Sequence, residues 1–297
     1  MVRTVEADAT FTTDNPFARH ESHSRNTLVT HRVLVLVTWL LVVIVGIYYS
    51  SHSPDDVKHG HKIWKQGNRH ITPFTQSAVV TGIYWILLLL SQLSYVWHLF
   101  SKETALVTAA ANVAGHFVLN NLFVFAWILL WVRNHFWGAE IILIAHFLNQ
   151  SIAYWRHPAL PPFVHLPAVA GPYAWTITAL FWNGAVAVGS NSLAARLVAN
   201  VFIWVIFVFG QFHILAAKDY LLGYSLSFLT LSLAVKQFAI KTFGLQWIFA
   251  FVIFGVFLVS SLYTSSATYS NRTVFWRRIA EPEATDRERA PLLNESA

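Results

Sequence analysis

Residues 33–49 read VLVLVTWLLVVIVGIYY, an uncharged apolar run that ends in two tyrosines. A helix needs roughly 20 largely apolar residues to cross the hydrocarbon core of a bilayer, with a range of about 17–25. The run therefore predicts a membrane-spanning helix at Val33–Tyr49, preceded by His31 and Arg32. Backbone polar groups in lipid must be bonded within the spanning structure, so several such runs in one chain favour a helical bundle.

Similar runs recur along the chain and predict an all-α polytopic transmembrane bundle of about eight spans. This domain would occupy residues 29–264, between a polar N-terminal tail (1–28) and a polar C-terminal tail (265–297) that we expect to be disordered. Five prolines between Arg156 and Pro172 predict a structured loop before the fifth span. The other seven predicted spans are Ser77–Phe100, Leu106–Val132, Phe136–Trp155, Pro172–Val188, Ala195–Ala217, Tyr220–Ile240 and Leu245–Tyr263.

The composition excludes several classes of protein. Of 297 residues, 56% are apolar and only 11% are charged, whereas a soluble domain carries about 25% charged residues. The chain contains no cysteine, which excludes disulfides, thiolate catalysis and Cys-ligated metals. The net charge is +6, and the basic residues lie mainly in the tails and the first loop. That placement suits a membrane surface better than nucleic acid.

The polar ends of the chain predict its orientation. The first 28 residues are polar, so we expect no cleaved signal peptide. An even number of spans puts both termini on one side of the membrane. Lys and Arg are more frequent on that side than on the other, which favours the cytosol for both tails.

Polar side chains within the predicted spans are the candidate functional residues, because such groups are costly in lipid. Spans three, four, six and seven carry most of them, and Asn112, His116 and Asn120 follow each other at four-residue steps on one helix face. One interpretation is a path for a solute or a proton. The alternative is hydrogen-bond packing between helices, worth about 0.6 kcal/mol for each group. The candidate pathway residues are Asn112, His116, Asn120, His146, Asn149 and His213.

The first loop is rich in histidine and suggests two further roles. Residues 52–70 contain four histidines, including the pair His59 and His61. Such a loop could bind a divalent metal weakly or sense the pH of an acidic compartment. We interpret it first as a solvated, flexible loop, and we predict no metal site and no cofactor. The sequence offers no motif for nucleophilic catalysis or nucleotide binding, which makes an enzyme the least supported class.

Both tails carry short stretches that resemble sorting signals. Glu288, Leu292 and Leu293 fit an acidic dileucine pattern, which adaptor proteins read on cargo bound for vacuoles and endosomes. Asn15, Pro16 and Phe17 resemble the ligand of endocytic EH domains. These patterns predict adaptor and EH-domain partners beside the lipid bilayer, and a vacuolar or endosomal location.

Several stretches together resemble one known family. They are Asn15-Pro16-Phe17-Ala18-Arg19-His20, Gly115-His116-Phe117-Val118-Leu119-Asn120-Asn121, Leu130-Trp131-Val132-Arg133, Ala179-Leu180-Phe181-Trp182-Asn183-Gly184-Ala185 and Gln246-Trp247-Ile248-Phe249-Ala250-Phe251. The chain is similar to a family of fungal multi-spanning membrane proteins catalogued as a domain of unknown function. The resemblance implies a fungal endomembrane protein and brings no catalytic residue, substrate or cofactor.

Three functional hypotheses follow from the sequence. The first is a transporter of a small polar solute or a proton-coupled substrate, which would use the polar residues of spans three, four, six and seven. The second is a non-catalytic scaffold or trafficking factor in which the same residues are packing contacts. An intramembrane lipid-modifying enzyme is a third and weaker hypothesis.

Overall fold

The structure is a computed structural model that describes Phe17 and residues 20–190, 192–241 and 244–269. Its regular structure in those residues is helical, which confirms the all-α prediction. The helices are α1 (Arg25–Ser51), α2 (Ile63–Arg69), α3 (Ala78–Leu99), α4 (Thr104–Asn112), α5 (Ala114–Val132), α6 (Phe136–Arg156), α7 (Pro162–His165), a π segment (Leu166–Ala170), α8 (Gly171–Val188), α9 (Leu193–Leu215), α10 (Tyr220–Ile240) and α11 (Gln246–Tyr269).

Six of these helices, α1, α3, α5, α9, α10 and α11, are long and apolar enough to cross a membrane. The helices α6 and α8, which coincide with the fourth and fifth predicted spans, fall outside this group. Polar residues such as Glu140, His146 and Gln150 lower the hydropathy of α6. The polar residues of α8 face neighbouring helices, since Thr176 and Asn183 are both buried.

The proline-rich segment before α8 is more regular than the sequence predicted. Helical structure begins at Pro162 and continues through the π segment into α8, so most of the predicted loop is helix. Pro162, Pro167 and Pro172 each lie in the first two positions of α7, the π segment and α8. Pro162 starts the helical run, where the missing amide has no helical partner anyway and the fixed φ already suits a helix. Pro167 and Pro172 lie inside the continuous run, within the π segment and just after it, where the missing amides interrupt the regular α-helical hydrogen bonds.

The third predicted span is two helices rather than one. The chain breaks at Val113, where φ is −103° and ψ is 0°, between α4 and α5. This break separates Asn112 from His116 and Asn120. The three side chains were predicted to share one helix face, but Asn112 ends α4 while the other two lie in the first two turns of α5.

The core is a group of tryptophans around α8. Trp175 packs against Trp85 and Trp127 with ring centroids 5.1 and 5.7 Å apart, and Trp131 packs against Trp182 at 5.1 Å. Trp127, Trp131, Trp175 and Trp182 are each less than 5% exposed. Aromatic residues usually gather at the lipid interface, but these four hold the helices together through large buried ring surfaces.

One end of the bundle is closed by the first loop and α2. Gln66 on α2 is fully buried, and its Nε2 donates to the carbonyl of Trp131 at 3.0 Å. Trp131 Nε1 donates in return to the carbonyl of Ile63 at 3.1 Å. From α10, Gln237 Nε2 donates to the carbonyls of Thr72 and Thr75 at 3.0 and 3.1 Å. The loop was expected to be solvated and flexible. Its backbone carbonyls and α2 supply bonding partners for α5 and α10, while side chains such as His52 and His59 are exposed.

At the opposite end, a partly buried hydrogen bond between His165 and Asp219 ties two connections together. His165 Nε2 lies 2.8 Å from Asp219 Oδ2, and Asp219 Oδ1 accepts from the amide of Leu222 at 2.9 Å at the start of α10. Burial raises the pKa of Asp219, but His165, the Leu222 amide and Tyr154 together hold that pKa below its ordinary value. Asp219 therefore both caps α10 and fixes the connection before α8.

Candidate functional site

A hydrogen-bonded network centred on Asn120 links α5 to α6. Asn120 Oδ1 accepts from His146 Nε2 at 2.6 Å and from Gln150 Nε2 at 2.9 Å. All three residues are at most 2% exposed. Because a carboxamide oxygen can only accept, His146 Nε2 carries the proton of this bond. We call Asn120, Asn121, His146 and Gln150, with Thr38 and Thr176, the central network.

The central network reaches α1 and α8. Asn120 Nδ2 donates to Asn121 Oδ1 at 3.1 Å, and Asn121 Nδ2 points to Thr38 Oγ1 on α1 at 3.4 Å. On the other side, Thr176 Oγ1 of α8 lies 3.3 Å from His146 Nδ1. Thr38 therefore gives α1 a buried polar contact with the bundle.

One helical turn earlier, His116 forms a second pair between α5 and α6. Its Nδ1 lies 2.8 Å from Asn149 Oδ1, and Asn149 Nδ2 donates to the carbonyl of His116 at 3.0 Å. The oxygen can only accept, so His116 Nδ1 carries the proton. His116 Nε2 is buried and has no hydrogen-bond partner within the described part of the chain. In the neutral ring this nitrogen is therefore able to accept a further bond.

Above His116 lies a cavity of about 600 Å³, which we call the vestibule. Its walls include His20, Thr104, Thr108, Asn112, His157 and Leu160. The rings of His157 and His116 lie 5.8 Å apart, which brings the vestibule next to the His116–Asn149 pair. A polar cavity thus opens at one end of the bundle, directly before the buried polar residues of α5 and α6.

The predicted involvement of spans six and seven needs correction. His213 on α9 is surrounded by aromatic rings, with Tyr154, Tyr173 and Phe209 centroids 4.9, 5.6 and 4.3 Å away. Its Nδ1 bonds to the carbonyl of Phe209 at 2.7 Å rather than to the central network. On α10, Lys236 and Gln237 bond to α2 and the first loop. The network continues instead to α1 and α8, because those helices pack against α5 and α6.

The His-rich loop packs onto the bundle without gathering its imidazoles. The backbone of His59 accepts from Asn134 Nδ2 at 2.7 Å, and the amide of His61 donates to the carbonyl of Val132 at 3.0 Å. Asp56 forms an ion pair with Arg133 at 2.8 Å. In the described residues, no group of three or more His, Asp or Glu side chains could hold a metal ion.

His70 is the loop histidine most tied to the fold. It is half-buried, and its ring packs against Phe136 with centroids 4.9 Å apart. Burial, followed by the charges of Arg69 and His61, lowers the pKa of His70. The folded state therefore favours the neutral ring.

Sequence reasoning missed four residues of these sites. Thr38 and Thr176 are threonines within apolar helices and belong to no recognisable pattern. Asp219 gave a weak signal as an acidic residue between two spans, where it could cap a helix. His165 gave none, since its partner is 54 residues away in sequence. Of the predicted sorting residues, only Phe17 lies within the described residues.

The fold and the buried polar network define a multi-pass helical membrane protein. Residues 196–293 match a family model described as a fungal protein of unknown function, DUF1774. The chain is also 25% identical to an uncharacterised protein of Schizosaccharomyces pombe over 237 residues, which cover 77% of this chain and 84% of the relative. These matches confirm the resemblance that the sequence indicated. No solved structure matches.

Replacing Asn120 with Leu should lower the free energy of unfolding by about 1–3 kcal/mol, because the buried donors of His146 and Gln150 lose their shared acceptor. Denaturant titration of the purified protein in detergent measures this. The matched control is Asn200→Leu on α9, since the side-chain oxygen of Asn200 has no partner in the described residues. Equal effects of the two substitutions would show that the central network is not a source of stability.

The chain should lose stability as the pH falls from 7.5 to 5, and His70→Phe should reduce this loss. A histidine whose folded pKa is depressed contributes stability that is present above its unfolded pKa of about 6.5 and is lost as the pH falls toward its folded pKa. Thermal unfolding at several pH values measures the effect, with the exposed His52→Phe as the control. An unchanged pH dependence in His70→Phe would contradict the assignment.

Proposed function

We propose that this protein transports a small polar solute, or a proton-coupled substrate, across the vacuolar or endosomal membrane. The observation that carries the proposal is the vestibule of about 600 Å³, which ends next to buried, hydrogen-bonded imidazoles. Ionisable and polar side chains inside a membrane domain are costly and commonly mark a substrate or proton route. A cavity leading to such groups supports transport better than either feature alone.

The proposal includes eight membrane crossings, with both termini in the cytosol. The helices α6 and α8 contact each other closely and lie beside α5 and α10. Their lower hydropathy is compatible with crossing the membrane, since their polar side chains face other helices instead of lipid. In this topology the vestibule opens to the cytosol, while the first loop and α2 face the lumen.

The side chains in this region suit a relay of polar contacts. Past the vestibule, the His116–Asn149 pair comes first and the Asn120–His146 contact follows one turn deeper. Each contact pairs a carboxamide with an imidazole, and both groups can exchange one hydrogen-bond partner for another. A solute entering from the vestibule would replace these contacts one after the other. In this proposal, the arrangement in which the side chains bond to each other is the closed state.

A scaffold or trafficking factor is the second candidate. Both polar atoms of the Asn120 side chain are already bonded, and the residue is 2% exposed. This observation favours interhelical packing, in which the central network fixes the helices and carries nothing.

Loss of the protein should change the solute content of isolated vacuoles, as measured by metabolite profiling. The wild-type chain should restore the profile. Ala109→Trp should not, because this residue lines the vestibule and a large ring would fill it. The control is Ile144→Trp, whose side chain is 49% exposed on the outer face of α6. An unchanged profile after deletion would contradict transport and favour the scaffold.

We also propose that the tails direct the protein to its membrane through adaptor and EH-domain partners. Replacing Leu292 and Leu293 with Ala should move a tagged protein away from the vacuolar or endosomal membrane, because the pair is the apolar part of the proposed signal. Fluorescence microscopy measures the location, with Ser296→Ala as the control in the same tail. Unaltered localisation would remove the dileucine interpretation.

A further inference from the structure

The vestibule is bordered by a segment of the chain's own N-terminus. This segment comprises Phe17 and residues 20–23, and it has no helical structure before α1 begins. His20 and Glu21 form part of the vestibule wall. The segment is therefore a neighbour of the polar cavity rather than a part of the helical core.

Asn112 binds the backbone of this segment. Its Oδ1 accepts from the amide of His20 at 2.9 Å, and its Nδ2 donates to the carbonyl of the same residue at 3.1 Å. A carboxamide that pairs with both backbone groups of one residue recognises a peptide unit and not a particular side chain. The ring of His23 adds a bond from Nε2 to Asn112 Oδ1 at 3.0 Å.

Two further contacts hold the segment in one orientation and involve one of its side chains. Arg156 Nη1 donates to the carbonyl of Phe17 at 3.0 Å, three residues before His20. The ring of Phe17 packs against His116 with centroids 5.0 Å apart. Main-chain bonds supply affinity in peptide recognition, and a pocket for one side chain supplies specificity. Asn112, His116 and Arg156 provide both elements.

We propose that Asn112, His116 and Arg156 form a peptide-binding site at the vestibule, which the N-terminal segment occupies as an intramolecular ligand. A competing ligand would be a peptide with an aromatic residue three positions before the residue that pairs with Asn112. Each of the three backbone bonds should change the occupancy by roughly three- to tenfold, so the segment can exchange with such a peptide. The proposal holds whether or not the central network carries a solute.

The natural absence of cysteine makes the position of the segment measurable. Spin labels on Ser22→Cys and Lys102→Cys, both exposed, report the distance from the segment to the start of α4 by electron paramagnetic resonance. We expect one narrow distance distribution for the full chain. An excess of a synthetic peptide with the sequence of residues 17–24 should broaden and lengthen it. The same peptide with Phe17→Ala should produce this change only at a concentration about tenfold higher.

Variants of the site provide the second half of the test. Asn112→Ala should release the segment without added peptide, and Arg156→Gln should do so partly. A control label pair on Asp55→Cys and Ser190→Cys, exposed at the other end of the bundle, reports whether the fold is intact. If Asn112→Ala changes the distance in the control pair, that variant no longer has the native fold. Arg156→Gln then decides the test, because Arg156 is exposed. The proposal is overturned if neither the peptide nor the correctly folded variants change the distance between the labels on residues 22 and 102. It is also overturned if a scrambled peptide changes that distance as much as the peptide of residues 17–24 does.

Discussion

A buried polar side chain in an apolar helix bundle must find a hydrogen-bond partner, and Asn120 meets this requirement for two helices at once. Its oxygen accepts from two residues of α6, which sets how far α5 and α6 slide along each other. The His116–Asn149 pair repeats the contact one turn away and confirms the antiparallel alignment. With α5 and α6 fixed, Thr38 and Thr176 can bring α1 and α8 to the same region.

The two ends of the bundle differ in how tightly they are closed. At one end, α2 and the first loop pack tightly: a Cβ added at Gly67 would lie 2.7 Å from the ring of Trp182. At the other end, the His165–Asp219 pair closes one side, while the N-terminal segment lies beside an open vestibule. A site that must admit a ligand belongs at the less tightly closed end. The proposals for transport and for peptide binding both use that end.

Some of the fold could be predicted because the signal is local. A run such as residues 33–49 is apolar whatever surrounds it. The eight predicted spans coincide with helical segments, and six helices of the described residues are long and apolar enough to cross a membrane. Polar residues within these runs were also visible, and Asn120, His146 and Asn149 do lie together. His213 does not join them, because hydropathy places a residue within a helix but says nothing about which neighbour the helix meets.

The sequence by itself determined that this is a helical membrane protein and which of its helices carry polar groups, since both follow from residues close together in the chain. The tertiary structure alone decided the break at Val113, the helical conformation of the proline-rich segment before α8, and the partners of Asn112 and Asp219. These features depend on contacts between residues far apart in sequence, such as the 92 positions between His20 and Asn112. A polar residue in a bundle acquires its role from the group it faces, and only packing determines that group.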